Sequence, residues 1–192
     1  FENAIYVDVN QQLTERLALS YGARLSSFLR LGQKELNIYE NDQAVGYNSD
    51  LQLYEQIAPI GSQTDKQGKV MKSFMNLEPR LALSYKLDNT SSLKTSYNRM
   101  TQYLHLLSNT SAPTPLDVWT PSGKYIQPQI LDQVAVGYFK SFNNYDLEIE
   151  SYYKTTENRI DYIDGANLIA NKAIEQVLLN GRSRAFLICI YC

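Results

Sequence analysis

The 192-residue chain has one His, two Cys and one Trp, and only 20% of its residues are charged. It contains no run of about 18 apolar residues, which rules out a transmembrane helix. Its weakly negative mean hydropathy does not argue against membrane strands, because their apolar and polar residues alternate and average out. An excess of basic residues is also lacking: 18 Lys and Arg stand against 20 Asp and Glu, for a net charge of −2. Nucleic acid is therefore not an expected partner, since its binders carry a basic patch or stripe. Both cysteines, Cys189 and Cys192, fall in the last four residues as C-x-x-C with no further ligand nearby. A redox pair or metal site needs a structured context or more ligands, so no metal or other cofactor is expected. The chain opens Phe1-Glu2-Asn3 without Met and without a basic-then-apolar leader, the opening expected of an internal piece.

What the sequence does have is Tyr, at 15 positions, and alternation with period two. Leu17, Leu19, Tyr21, Ala23 and Leu25 oppose Arg16, Ser20, Arg24 and Ser26. Leu81, Leu83, Tyr85 and Leu87 alternate with Ala82, Ser84 and Lys86. Val134, Val136 and Tyr138 alternate with Gln133, Ala135 and Gly137, and Tyr145, Leu147, Ile149 and Tyr153 with Asp146, Glu148, Glu150 and Lys154. This is the pattern of strands with one apolar and one polar face. It predicts strands near 3–10, 16–29, 73–87, 92–102, 128–140 and 145–156, with a weaker one near 177–187. Most reach the length of about 9–11 residues that a tilted bilayer-spanning strand needs. Segment 166–179 is the exception. Leu168, Ile169, Ala173, Ile174 and Val177 suit a short helix better.

The connections alternate strictly between short and long. Short ones fall at 11–15, 88–91 and 141–144, rich in Asn, Asp and Ser, and long ones at about 31–72, 103–127 and 157–176. Outer-membrane barrels pair short periplasmic turns with longer extracellular loops in this way. The expected fold is all-β: an antiparallel up-and-down meander of about seven long strands, forming a segment of a larger transmembrane barrel. Tyr85, Tyr138, Phe139, Phe142 and Tyr145 cluster near the short turns, where an interfacial girdle belongs, although Tyr is also simply a good strand former. Arg99 and Asp132 break the apolar parity of their strands at matching distances from the short turns. They are expected to face each other across adjacent strands near the upper rim. Residues 1–186 are read as barrel wall, and 187–192 as an atypical or truncated tail in which alternation lapses.

Three stretches carry a family likeness. Ile126-Gln127-Pro128-Gln129, followed by Gln133 and Gly137, has the form apolar-polar-Pro-acid and then a strand ending in Gly and an aromatic, with Gln129 where the pattern usually has Glu. Leu77-Glu78-Pro79-Arg80-Leu81 before Tyr85 and Asn158-Arg159-Ile160-Asp161 after a Tyr-rich strand are the others. In these stretches the chain resembles the C-terminal barrel half of TonB-dependent outer-membrane receptors, with Pro128, Gln129 and Gly137 as the family-signature positions. The resemblance implies a plugged barrel of about 22 strands in the cell outer membrane, in contact with its lipid. It also implies active uptake of a metal chelate, vitamin or glycan, driven through TonB, which such receptors meet at a box near their N-terminus. Plug, box and remaining strands are expected outside these residues. A passive porin or autotransporter-type barrel, and a soluble β-sandwich binding module, are the alternatives.

An enzyme is not expected. His105 has Ser108 nearby, but no Gly-x-Ser-x-Gly elbow is present. Candidate ligand contacts are Tyr103, His105, Trp119 and Tyr125 on the second long loop, stiffened by Pro113, Pro115, Pro121 and Pro128. Such aromatics can stack on a small-molecule ligand at low entropic cost. The preferred reading is that they pack against neighbouring loops, because a large loop needs its own small core.

Overall fold

The computed structural model describes residues 1–32, 35–107, 118–168 and 171–191. In chain order the strands are β1 (Glu2–Gln12), β2 (Leu17–Leu31), β3 (Glu35–Ile38), β4 (Val45–Asn48), β5 (Leu53–Gln56), β6 (Gly61–Thr64) and β7 (Val70–Lys86). They continue with β8 (Ser91–Gln102), β9 (Leu104–Leu107), β10 (Val118–Pro121), β11 (Gln129–Ser141), β12 (Asp146–Tyr162) and β13 (Leu178–Tyr191). The long strands form one seven-stranded antiparallel sheet in the order β1-β2-β7-β8-β11-β12-β13. The sheet is open, with β1 and β13 at its edges.

All seven long strands lie where alternation placed them, each 11 to 17 residues long. The short connections are tied by local hydrogen bonds. Thr14 Oγ1 accepts from the Leu17 N–H at 3.0 Å. Asp88 accepts from the Thr90 N–H at 2.7 Å and from the Ser91 hydroxyl at 2.6 Å. The Ser91 hydroxyl above all, followed by the Thr90 N–H and hydroxyl, holds the Asp88 carboxyl well below the usual carboxylate range. In the third turn Phe142 stacks on Tyr145 with ring centroids 4.5 Å apart.

Register makes the two faces of the sheet coherent. Tyr21 pairs with Val9 and Leu81, Leu81 with Tyr97, Tyr97 with Val134 and Val134 with Tyr153, so one rung of apolar and aromatic side chains crosses six strands. This face is open to the surroundings: Ile5, Val7, Leu77, Val134, Val136, Phe186, Ile188 and Ile190 are 47–72% exposed. The opposite face carries Asp8, Arg24, Glu78, Arg80, Asn98, Gln133, Lys94, Lys154 and Glu150 at paired positions. It curves around a groove of about 570 Å³ lined from β1, β2, β7, β8, β11 and β12. The sheet is therefore polar on its concave side and apolar on its open side.

Several expectations need correction. Phe139 does not join the apolar face. It pairs with Ser92 and Glu148, lies over Gly137, where an added Cβ would stand 2.8 Å from its ring, and has Lys94 Nζ 4.4 Å above its centroid. Segment 166–179 forms only a single 3₁₀ turn at Ile174–Gln176 before β13 begins; its positions 169 and 170 lie outside the described residues. Its described apolar residues do not make a helical face. They act as pegs: Leu168, Val177 and Leu178 are buried with Leu107, Ile126 and Ile163 in one loop core. The long loops also contain paired strands that four-residue lengths did not reveal, β3 with β6, β4 with β5 and β9 with β10. At the far end β13 stays paired with β12 up to Tyr191 opposite Glu148. The pleat sets Phe186, Ile188 and Ile190 on the open face despite the unbroken apolar run.

Arg99 and Asp132 are direct ladder partners joined by a fork of two bonds, Nε to Oδ1 and Nη2 to Oδ2, both 2.8 Å, with the Tyr97 hydroxyl donating to Oδ1 at 2.7 Å. A double-mutant cycle with Arg99→Met and Asp132→Leu, read by denaturant unfolding in detergent, is expected to give a favourable coupling near the upper end of the about 0.2–1 kcal/mol range of partly exposed pairs. A coupling of zero means the fork is not populated.

Candidate functional site

The long connections gather at one end of the sheet, and part of this cluster folds back over the polar face. Tyr103 makes the first inward turn as β8 ends. Its ring stacks on Phe28 of β2, with centroids 5.1 Å apart. Its hydroxyl lies 2.8 Å from Ser26 Oγ and accepts from Asn76 Nδ2 at 2.9 Å. Ser26 is fully buried and lies 2.6 Å from Glu78 Oε1. Having one hydroxyl proton, Ser26 gives it to the carboxylate, so Tyr103 donates to Ser26. The resulting chain runs Asn76, Tyr103, Ser26, Glu78 and ends beside Arg24, whose Nη1 is 3.6 Å from Glu78 Oε2. It bolts the second loop to β2 and β7.

His105 lies opposite Thr120 in the β9–β10 hairpin, buried, with Nε2 2.9 Å from Ser122 Oγ. The Ser122 N–H in turn donates to the Tyr103 carbonyl at 2.7 Å. Among the described residues His105 Nδ1 is buried without a hydrogen-bond partner, and none of them supplies the orienting group that a Ser–His nucleophile uses. Ser108 lies outside the described residues, as do Asn109, Thr110, Ser111, Pro113 and Pro115. Burial pushes the His105 imidazole below its ordinary value.

The four candidate contacts do not converge. Tyr103 and His105 are structural members of the loop packing. Trp119 pairs with Leu106 on the other face of the hairpin and is 62% exposed. Tyr125 is half-buried, edge-on to Tyr39 at 5.2 Å, and its hydroxyl donates to the Asn37 carbonyl at 2.9 Å. Tyr39 donates to Glu175 Oε1 at 3.0 Å; burial, then the Glu175 charge, push its phenol well above the usual range. Of the signature positions, Pro128 offers its carbonyl to Asn158 Nδ2 at 2.9 Å. Asn158 itself takes a positive φ of 55° at the bulge in β12. Gln129 opens the β8–β11 ladder opposite Gln102, and Gly137 makes room for the Phe139 ring.

Tyr125 lines a second cavity, of about 240 Å³, between the polar face and the loops, together with Arg30, Lys72, Pro121, Ile174 and Glu175. Arg30 and Lys72 escaped sequence reasoning because both lie just past the expected strand ends, where parity was no longer followed. Among the described residues no group of three or more His, Cys, Asp or Glu is placed to hold a metal ion. No protein-family model matches the chain, and no curated protein matches it.

The buried imidazole makes the loop end sensitive to acid. His105 is depressed in the folded state, so its contribution is fully present above the unfolded value of about 6.5 and is lost as pH falls through the folded value. Proteolytic nicking within 103–127 is expected to accelerate as pH drops from about 7 to about 5. His105→Gln should flatten that dependence, and an unchanged acid response in this variant removes His105 as the cause.

Proposed function

We propose that the chain supplies wall and extracellular loops to a TonB-dependent outer-membrane receptor, a barrel for active uptake of a small ligand of the metal-chelate, vitamin or glycan class. The observation that carries the reading is the inversion of the sheet: apolar on the open face, polar on the concave one. A soluble sheet covers its apolar face, whereas a large membrane barrel turns it to lipid and keeps a polar lumen.

The slope of the apolar band adds to this. On β1 its members Ile5, Val7 and Val9 run from the common rung toward the long loops. On β12 and its turn, Tyr153, Ile149, Leu147 and Tyr145 run from the same rung toward the short turns. The band thus slides by about one residue per strand. At about 3.3 Å per residue and about 4.8 Å between strands, that is a tilt of about 35°, the value at which barrel strands cross a flat slab. On β8, β11 and β13 the open face passes to Arg99, Asp132 and Arg184 on the loop side of the rung, as a headgroup boundary requires. In this reading a plug and further strands complete the barrel, and TonB is met elsewhere in the protein.

Two measurements test the proposal. Immunodetection in fractionated cells is expected to find these residues in a polypeptide of the outer-membrane fraction. A plug-type domain N-terminal to them supports a receptor, and its absence from that polypeptide supports a passive barrel instead. In a Trp119→Phe background, brominated lipid should quench the fluorescence of Val136→Trp and Ile188→Trp but not of Ser96→Trp. A soluble product whose three tryptophans are all untouched by lipid overturns the membrane reading in favour of a sandwich.

A further inference from the structure

We propose that the cavity beneath the second and third long loops binds a small organic monoanion, a single-ring or short-chain carboxylate, with its head on Arg30 and Lys72. Its floor is the loop end of β2 and β7. Its roof is the stretch from Thr120 to Ile126 together with the Ile174–Gln176 turn, and Leu36 of β3 closes one side. The roof lies close on the floor: an added Cβ at Gly123 would stand 3.4 Å from Arg30 Cδ.

The first argument is a like-charge pair that the Glu175 charge on the roof offsets only in part, at Arg30. Arg30 and Lys72 are direct partners in the antiparallel ladder, and like charges set opposite each other destabilise a sheet. Among the described residues neither has a carboxylate within salt-bridge distance. Arg30 spends one donor on the Pro121 carbonyl at 2.5 Å, out of the five that its guanidinium carries. Lys72 lies 5.7 Å from the Phe74 ring centroid and is otherwise exposed.

The other charges of the cavity are largely committed. Lys124 is 2.6 Å from Asp42 and rests over the Tyr125 ring. Glu175 already accepts from Asn37 Nδ2 at 2.9 Å and from Tyr39, both at Oε1, while Glu35 is an exposed carboxylate at the cavity's edge. Two open cations thus stand at one wall, while Glu175 stands on the roof and Leu36, Met71, Pro121, Ile126 and Ile174 line the apolar remainder. An oxyanion meets the planar fork of Arg30 and the ammonium of Lys72, and an apolar body fills the rest. Glu175 repels a second negative group, so the site selects monoanions. At about 240 Å³ the space is smaller than the about 300–1,000 Å³ of pockets for drug-sized ligands, which restricts the body to about one ring.

The inference stands on the cavity and not on the membrane reading, so either can fail alone. The test is equilibrium dialysis of the intact purified protein against benzoate, with benzamide as the neutral analogue and phthalate as the dianion. Saturable binding of benzoate is expected, with benzamide and phthalate each weaker by about tenfold or more, since the charged hydrogen bonds are lost in one and Glu175 opposes the other. Lys72→Gln, at an exposed position whose ammonium donates no hydrogen bond among the described residues, should leave the fold intact and weaken benzoate by about tenfold; Arg30→Gln should abolish binding. No saturable binding of benzoate, equal binding of benzamide, or Lys72→Gln behaving as the parent overturns the site.

Discussion

The pleat of the seven long strands is the constraint on which everything else rests. Each side chain is assigned to one face by its parity, and the ladders carry the assignment from strand to strand, shifting only near the loop ends, at Asn158 and at Leu31. A slip of one residue anywhere between β1 and β13 would turn Ile188 or Val136 to the concave side and Lys94 or Glu150 to the open side. The fork between Arg99 and Asp132 joins adjacent strands at a single register. The four-residue turns hold the rest, with Thr14 and Asp88 closing theirs through side-chain hydrogen bonds.

Against that rigid wall the loops are built on a different principle. Their core is local: Leu107, Ile126, Ile163, Leu168, Val177 and Leu178 come from the second and third loops and the first residue of β13, and they pack with one another rather than on the sheet's apolar face. The attachment to the wall combines polar links, through Tyr103 to Ser26 and Glu78 and through Arg30 to Pro121, with the stack of Tyr103 on Phe28 and the contact of the loop core with Ile160, Tyr162 and Leu179. A loop cluster fastened in this way meets the open face only at the loop end of β13, at Leu178 and Asn180, and leaves the apolar band exposed. That is the arrangement the proposed barrel needs, because loops folded outward would meet lipid.

Most of the wall could be read from the sequence, because seven strands of 11 or more residues repeat the same alternation and random agreement over that length is improbable. The Arg99–Asp132 contact was legible for a sharper reason: two polar residues violated parity at equal distance from their turns, and only a shared rung explains both. Legibility ended where the signal became shorter than its period. Strands of four residues show two alternations at most, so β3 to β6 and β9 to β10 passed as loops. The spacing in 166–179 imitated a helix because pegs of a loop core have no fixed period. Phe139 was placed by residue type rather than by parity, and parity was right. Tyr103 and His105 were recognised as notable residues, but nothing in the sequence distinguishes an aromatic that grips a ligand from one that grips a neighbouring strand.

That distinction lies in how the polar groups are satisfied. The chain from Asn76 through Tyr103 and Ser26 to Glu78 is closed at its centre: each hydroxyl has an acceptor, and the terminal carboxylate has a guanidinium beside it. A closed chain has nothing left to offer a ligand, and its role is to hold the loop. Arg30 and Lys72, one rung past Phe28 and Phe74 on the same face, are the reverse case. The two cations are ladder partners on the wall of a cavity, and only Arg30 has a hydrogen bond, to the Pro121 carbonyl, among the described residues. Folding alone gives no reason to set them there, since a Ser or Gln at position 72 would relieve the repulsion at no cost in packing. Charge only partly relieved, by Glu175 at Arg30 and by the Phe74 ring at Lys72, marks a cavity wall where the polypeptide leaves its electrostatics to be completed by something else.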